Sequence, residues 1–285
     1  MKPLQVIVAF LLVIESIYPS TINAQAKKST KAPTSTNSRL KKLKAVIVVG
    51  PVEEFLKEDV ERAKVVAKYL RDKGVQVKEF YPPYDKWTNI VNASKDANIF
   101  MYSGHGTTCG ENGKAGGLCL SNETFIYSTT ISKELKLHKN ALVLFNCVCY
   151  AAGSSDSDEK DIGVKEAITR VSDYARPFFK SGATGYYVSN YEGSMVPFLQ
   201  EFFKKRSIKQ VYTEKASEWT KIEITQTYKY NPNYEVSVAS NDDKGFYYKI
   251  HLVNGVRKEE KFPAFKVYDV AYVGKPDFTV NDFFK

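Results

Sequence analysis

Two residue types with nucleophilic and acid–base chemistry stand at the ends of two apolar runs. His105 closes NIFMYSGH, which begins at Asn98, and Cys149 closes ALVLFNCVC, which begins at Ala141. An imidazole beside a thiol favours the thiolate, the nucleophilic form of cysteine. Gly106 follows the histidine, and a residue without a Cβ lets backbone approach a substrate carbonyl with its N–H aimed at a developing oxyanion. The Cys149 N–H would be the second donor. Such a set does acyl transfer through a covalent acyl-enzyme. Cys147 is a rival nucleophile: alternation along a strand puts positions 147 and 149 on one face, so periodicity does not choose between them.

A histidine and a cysteine 44 positions apart meet only if the chain folds them together. Residues 45–50 (AVIVVG), 75–80, 97–103, 141–145 (ALVLF) and 183–189 read as strands, several of them continuous apolar runs of the kind buried on both faces of a parallel sheet. Between them, 53–73, 84–94 and 164–179 read as helices, and 195–206 and 208–219 follow. Strands alternating with helices predict an α/β domain with a mostly parallel sheet and helices on both faces. Neighbouring parallel strands deliver their carboxyl ends to the same edge, where ligands bind in open α/β folds. Residues 104–117 read as a long glycine-rich loop, and loops of that length in a compact domain are usually functional. Its glycines form no phosphate-loop pattern. Past residue 220 the texture changes to alternating segments (234–239, 246–253, 265–273), which predict antiparallel strands in a β-rich C-terminal extension over 223–285.

An apolar strand ending in His-Gly, followed some tens of residues later by one ending in cysteine, resembles the caspase-like superfamily, clan CD, which includes caspases, metacaspases, legumains, gingipains and clostripain. The segment Cys149-Tyr150-Ala151-Ala152-Gly153 further resembles uncharacterised bacterial members. The likeness covers residues 45–189 and implies a cysteine endopeptidase acting on peptides or proteins. It makes His105 the general base, Cys149 the nucleophile and the Gly106 and Cys149 amides the oxyanion hole, with no third carboxylate required. Val148 departs from the common form, in which a small or acidic residue precedes the cysteine. The Tyr-Ala-Ala-Gly tail favours Cys149 over Cys147.

The opening of the chain carries Lys2, an apolar run over 4–14, polar residues and then Ala24-Gln25-Ala26, the layout of a secretory signal peptide over 1–26 cleaved near Ala24 or Ala26. The run is too short for a permanent membrane anchor. A secreted or periplasmic protein is expected. Residues 27–44 hold seven basic residues and no acid, and read as a disordered linker. Removing those seven charges from the net +9 leaves about +2 for the domain that follows at 45–222 and its extension, which lacks the electrostatic footprint of a nucleic-acid binder.

Other readings stand beside the peptidase. Cys149 is either a nucleophile, a buried small hydrophobe or, in an exported protein, half of a disulfide; Cys109 and Cys119 are candidates to pair with each other. A zinc module drawing on His105, Cys109, Cys119, Cys147 and Cys149 matches no standard ligand spacing, so no metal or cofactor is expected. A caspase-like fold serving as an inactive binding or adhesion module is the remaining alternative. Asp156 and Asp158 either line a pocket for a basic side chain or, with Glu159 and Asp161, form a solvated turn and helix start. His138 and His251 lack a reactive context, and a monomer is the default assembly.

Overall fold

The apolar runs become strands because both faces of each are covered. The computed structural model describes residues 40–52, 55–107, 116–122, 124–190, 193–241, 246–253, 256–263 and 265–285. Strands β1 (Lys44–Val49), β2 (Gln76–Phe80), β3 (Ala97–Ser103), β6 (Leu137–Asn146) and β7 (Ala183–Ser189) form the parallel part of an eight-stranded sheet in the order β2-β1-β3-β6-β7. The sheet continues through β12 (Val267–Gly274), β9 (Asn231–Asn241) and β8 (Lys221–Tyr228), each antiparallel to its neighbour. This is the expected α/β class. Two hairpins stand outside the main sheet: β4 (Gly117–Leu120) with β5 (Thr124–Tyr127), and β10 (Phe246–Val253) with β11 (Val256–Pro263).

Every residue of β3 and of β7 is buried. Alternation then sorts their side chains into two cores. Val46, Val48, Phe100, Tyr102, Phe145 and Tyr186 face one layer, under helices α2 (Trp87–Ser94), α3 (Ser128–Glu134) and α4 (Gly163–Lys180), which add Ile90, Ile131 and Phe178. Ile47, Val49, Ile99, Met101, Leu144 and Tyr187 face the other, under α1 (Leu56–Asp72), α5 (Val196–Phe202) and α6 (Ile208–Trp219). Each large side chain so buried contributes about 1.5–3 kcal/mol before its entropy cost. Ser207 starts α6 with a capping box: its hydroxyl accepts from the Gln210 N–H at 3.2 Å while Gln210 accepts from the Ser207 N–H at 2.9 Å.

The structure differs from the sequence expectations at several points. Leu40 and Leu43, inside the expected linker, are buried in the α1-side core, and β1 starts at Lys44. The helix expected over 84–94 begins only at Trp87. Strands β4, β5, β8 and β11 and helix α3 were not expected; they are short, partly exposed or rich in charge and so carry little apolar periodicity. In the C-terminal extension, the last long strand, β12, slots between β7 and the β8–β9 hairpin, and joins the sheet directly. The signal-peptide segment, Cys109 and most of the glycine-rich loop lie outside the described residues, as does the side chain of His251.

Candidate active site

Four parallel strands end level. Val49, Ser103, Asn146 and Ser189 are register partners across β1, β3, β6 and β7, so the segments following them emerge at one rim. His105 leaves the rim two residues past Ser103 and is exposed; Cys149 follows Asn146 by three residues and is half-buried. The two segments meet at Gly106. A Cβ built there would lie 1.9 Å from the Cys149 carbonyl oxygen and 3.0 Å from its nitrogen, well inside contact distance. Only glycine lets these two backbones touch. Among the described residues, neither the Gly106 nor the Cys149 N–H donates to a backbone carbonyl.

The Cys149 thiol has a defined setting. Burial first, then the charge of Asp156, push its pKa up to about 12. The Asp156 backbone and the Ser155 side chain oppose the rise by hydrogen bonding the thiolate, whereas the Asp156 carboxylate supports the protonated form by accepting from it. In this arrangement the thiol is neutral and is held by the loop that follows it. Cys147 and Cys149 are both free thiols.

The expectation that Cys147 and Cys149 share a face is incorrect. Regular alternation stops at Asn146, because Cys147 adopts a left-handed backbone with φ 53° and Tyr150 does so again with φ 66°. Cys147 points towards α1, where Asp59 and Arg62 act on its thiol, and its Sγ lies 3.6 Å from the Asn190 carbonyl oxygen. Asn190 also accepts from the Val148 N–H at 3.1 Å and donates to Asp269 at 3.1 Å, which fastens the turn to β12. Left-handed backbone at a non-glycine residue costs of order 1–3 kcal/mol and persists only where its surroundings hold it. Asn146 adds to that cost: it is fully buried, and neither of its side-chain polar atoms has a partner among the described residues.

The two acids separate. Asp156 stays exposed at the thiol, while both Asp158 carboxylate oxygens accept from the one Arg170 Nη1, at 2.8 and 3.0 Å, and one of them accepts from the Ser155 N–H at 2.8 Å. Asp158 closes the turn over exposed Asp156 and Ser157, its N–H donating to the Ser155 carbonyl at 2.9 Å, but its carboxylate faces Arg170 and not solvent. Arg170 reaches the Gly153 carbonyl at 3.2 Å as well and lies over the Tyr150 ring, so one side chain braces the whole Tyr150–Asp158 loop from α4. The far side of the loop is tied to β12, where Ser154 exchanges bonds with the Tyr268 backbone at 2.8 and 3.1 Å. Ala151 and Ala152 are fully buried, and the Tyr186 hydroxyl donates to Ala151 O at 3.0 Å.

The roles of Arg170, Ser154 and Asn190, and the place of β12 beside β7, escaped the reading of the sequence, since each acts through contacts distant along the chain. His138 is half-buried and accepts from its neighbour Asn140, an ordinary packing role. Among the described residues no three His, Cys, Asp or Glu side chains gather as a metal site. No described helix is long and apolar enough to cross a membrane. No protein-family model matches the sequence, and no curated protein matches it either.

Proposed function

We propose that the protein is an exported, caspase-like cysteine endopeptidase in which Cys149 is the nucleophile and His105 the base. The observation that carries this reading is the apposition of Gly106 on the Cys149 backbone at a rim where adjacent parallel strands end level. On this reading the Cys149 thiol passes its proton to the His105 imidazole and the thiolate attacks the scissile carbonyl carbon. The carbonyl electron pair moves to oxygen and is held by the Gly106 and Cys149 N–H groups. Collapse expels the amine, which takes the proton from the imidazolium, and water hydrolyses the acyl-enzyme. The present arrangement is a resting one, because the thiol is protonated and engaged by Asp156 and Ser155. Substrate must draw the thiol from that contact to His105.

A second reading, a catalytically inert binding module of the same fold, is favoured by one observation. Burial and the charge of Asp156 push the pKa of the Cys149 thiol up to about 12, so the resting thiol is protonated. Labelling separates the two. A peptidyl electrophile screened with Arg, Lys, Asp or Asn next to the warhead should modify Cys149 selectively, with the labelling lost in His105→Ala. Labelling that is equal in both proteins, or absent in both, rejects the peptidase.

A further inference from the structure

We propose that Tyr102 and Tyr174 are positioning residues that set the direction of the Gly106 amide, an inference that rests on the peptidase reading above. Gly106 belongs to two peptide planes. The first contains the His105 carbonyl and the Gly106 N–H; the second contains the Gly106 carbonyl and the Thr107 N–H. A trans peptide is rigid, with its C=O and N–H pointing in opposite directions, so fixing one end of a plane aims the other.

Each plane is fixed by a buried tyrosine hydroxyl. The Tyr102 hydroxyl lies 3.0 Å from the His105 carbonyl oxygen, and the Thr107 N–H donates to the Tyr174 hydroxyl at 3.3 Å. Both hydroxyls are anchored at their other side to the first strand beyond the loop. Tyr102 accepts from the Cys119 N–H at 3.1 Å and lies 2.9 Å from the Cys119 carbonyl, while Tyr174 donates to the Gly117 carbonyl at 2.9 Å. With one proton, Tyr102 donates to His105 O or Cys119 O at a time, and donation to His105 O polarises the plane that carries the Gly106 N–H.

The two rings are held in turn. Tyr102 and Tyr174 are both fully buried and pack on Phe145, each with a centroid separation of 5.6 Å. The Tyr102 hydroxyl sits in a cradle of two glycines, since a Cβ at Gly104 or Gly50 would come within 2.6 or 2.7 Å of it. Burial holds both phenols above their ordinary range, so they remain O–H donors at working pH. Phe145 immediately precedes Asn146, and one aromatic cluster thereby links the histidine segment to the cysteine segment.

Two reagents distinguish positioning from packing. A peptidyl aldehyde adds the Cys149 sulfur to its carbonyl carbon, the thiol proton moving to the new oxygen, and that tetrahedral oxygen needs the Gly106 amide. Iodoacetamide forms the same S–C bond by expelling iodide and creates no such oxygen. Tyr102→Phe and Tyr174→Phe are expected to weaken aldehyde binding by roughly tenfold or more, as for a displaced oxyanion donor, with iodoacetamide rates held within about twofold. Tyr212→Phe is the control: it removes an equally buried hydroxyl, bonded to Ser237 at 3.0 Å, far from the rim, and should leave both reactions unchanged. Unchanged aldehyde affinity in folded Phe variants overturns the proposal, as do parallel losses with both reagents. If only one variant folds, it decides; if neither folds, the hydroxyls are structural and the proposal falls. Native protein that iodoacetamide alkylates at Cys149 but that never binds the aldehyde refutes the peptidase reading itself.

Discussion

Gly106 and Cys149 touch through their main chains, the glycine Cα facing the cysteine carbonyl with no room for a methyl group between them. The contact joins the segments that follow two neighbouring parallel strands, and it converts a separation of 43 residues in sequence into van der Waals contact.

Gly106→Ala should therefore remove function while leaving both reactive side chains in place. The added carbon would meet the Cys149 carbonyl at 1.9 Å, so one backbone must move. Overpacking of this kind costs about 1–3 kcal/mol, which the thermal midpoint will report. Labelling of Cys149 by a peptidyl electrophile should fall to the level of His105→Ala. A folded alanine variant with native labelling would mean that the contact has no bearing on the chemistry.

Asp156→Asn should make the thiol more acidic. The carboxylate is the largest charge acting on Cys149, and it raises a pKa already lifted by burial. Removing the charge lowers the midpoint from about 12, so alkylation at any fixed pH below it speeds up. The pH dependence of iodoacetamide modification measures this directly, and a midpoint that stays or rises contradicts the assigned contact.

How much of this was legible in the sequence follows from the range of the interactions. β3 and β7 were read with their observed bounds because burial on both faces leaves a continuous apolar run. The left-handed turn at Cys147 left no mark, since cysteine has no special tolerance for positive φ and the contacts that hold it, to Ser189, Asn190 and Asp269, are distant along the chain. Pattern reasoning therefore placed both cysteines on one face. The role of β12 was hidden for the same reason: an alternating strand announces itself but not its neighbour. Tyr102 did offer a clue, a hydroxyl inside an otherwise apolar strand, which must find a partner when buried.

Arg170→Met should loosen the loop after Cys149. Asp158 is 9% exposed and Arg170 16%, so the pair is largely shielded from water, and the variant leaves the Asp158 carboxylate without its cation, with the Ser155 N–H as its remaining donor, and removes the Gly153 carbonyl's bond to Arg170. Breaking a wholly buried pair costs about 3–5 kcal/mol, and residual exposure brings the expectation here to about 2–3 kcal/mol. Denaturant midpoints will give the value. Adding Asp158→Asn should recover part of the loss; a double variant as unstable as the sum of the singles would show that the two side chains act independently.

High pH should destabilise the fold through both thiols. Cys147 and Cys149 are raised from 9.0 to about 12, chiefly by burial. A thiol raised in this way stabilises the folded state fully below pH 9.0 and loses that contribution as pH climbs through the folded value, because the unfolded chain ionises first. Replacing both by Ala should flatten the fall in stability above about pH 9, by up to roughly 1.4 kcal/mol per pH unit for each thiol. Stability curves of the native and doubly substituted proteins that run parallel up to the alkaline limit would show that neither thiol is desolvated.

Cys147→Ala and Cys149→Ala should part company. Cys147 is turned to the α1 side, its sulfur near the Asn190 carbonyl and under the negative charge of Asp59, which disfavours a thiolate. Gly106 approaches the main chain of Cys149. Cys147→Ala should thus keep electrophile labelling, with a stability loss of about 1 kcal/mol for the missing sulfur contacts. Cys149→Ala should abolish labelling without a comparable change in fold. Mass mapping of the adduct after digestion gives the site, and an adduct on Cys147 in the native protein would reverse the assignment, because it would require the turn at 147 to flip and carry its thiol across the sheet rim to His105.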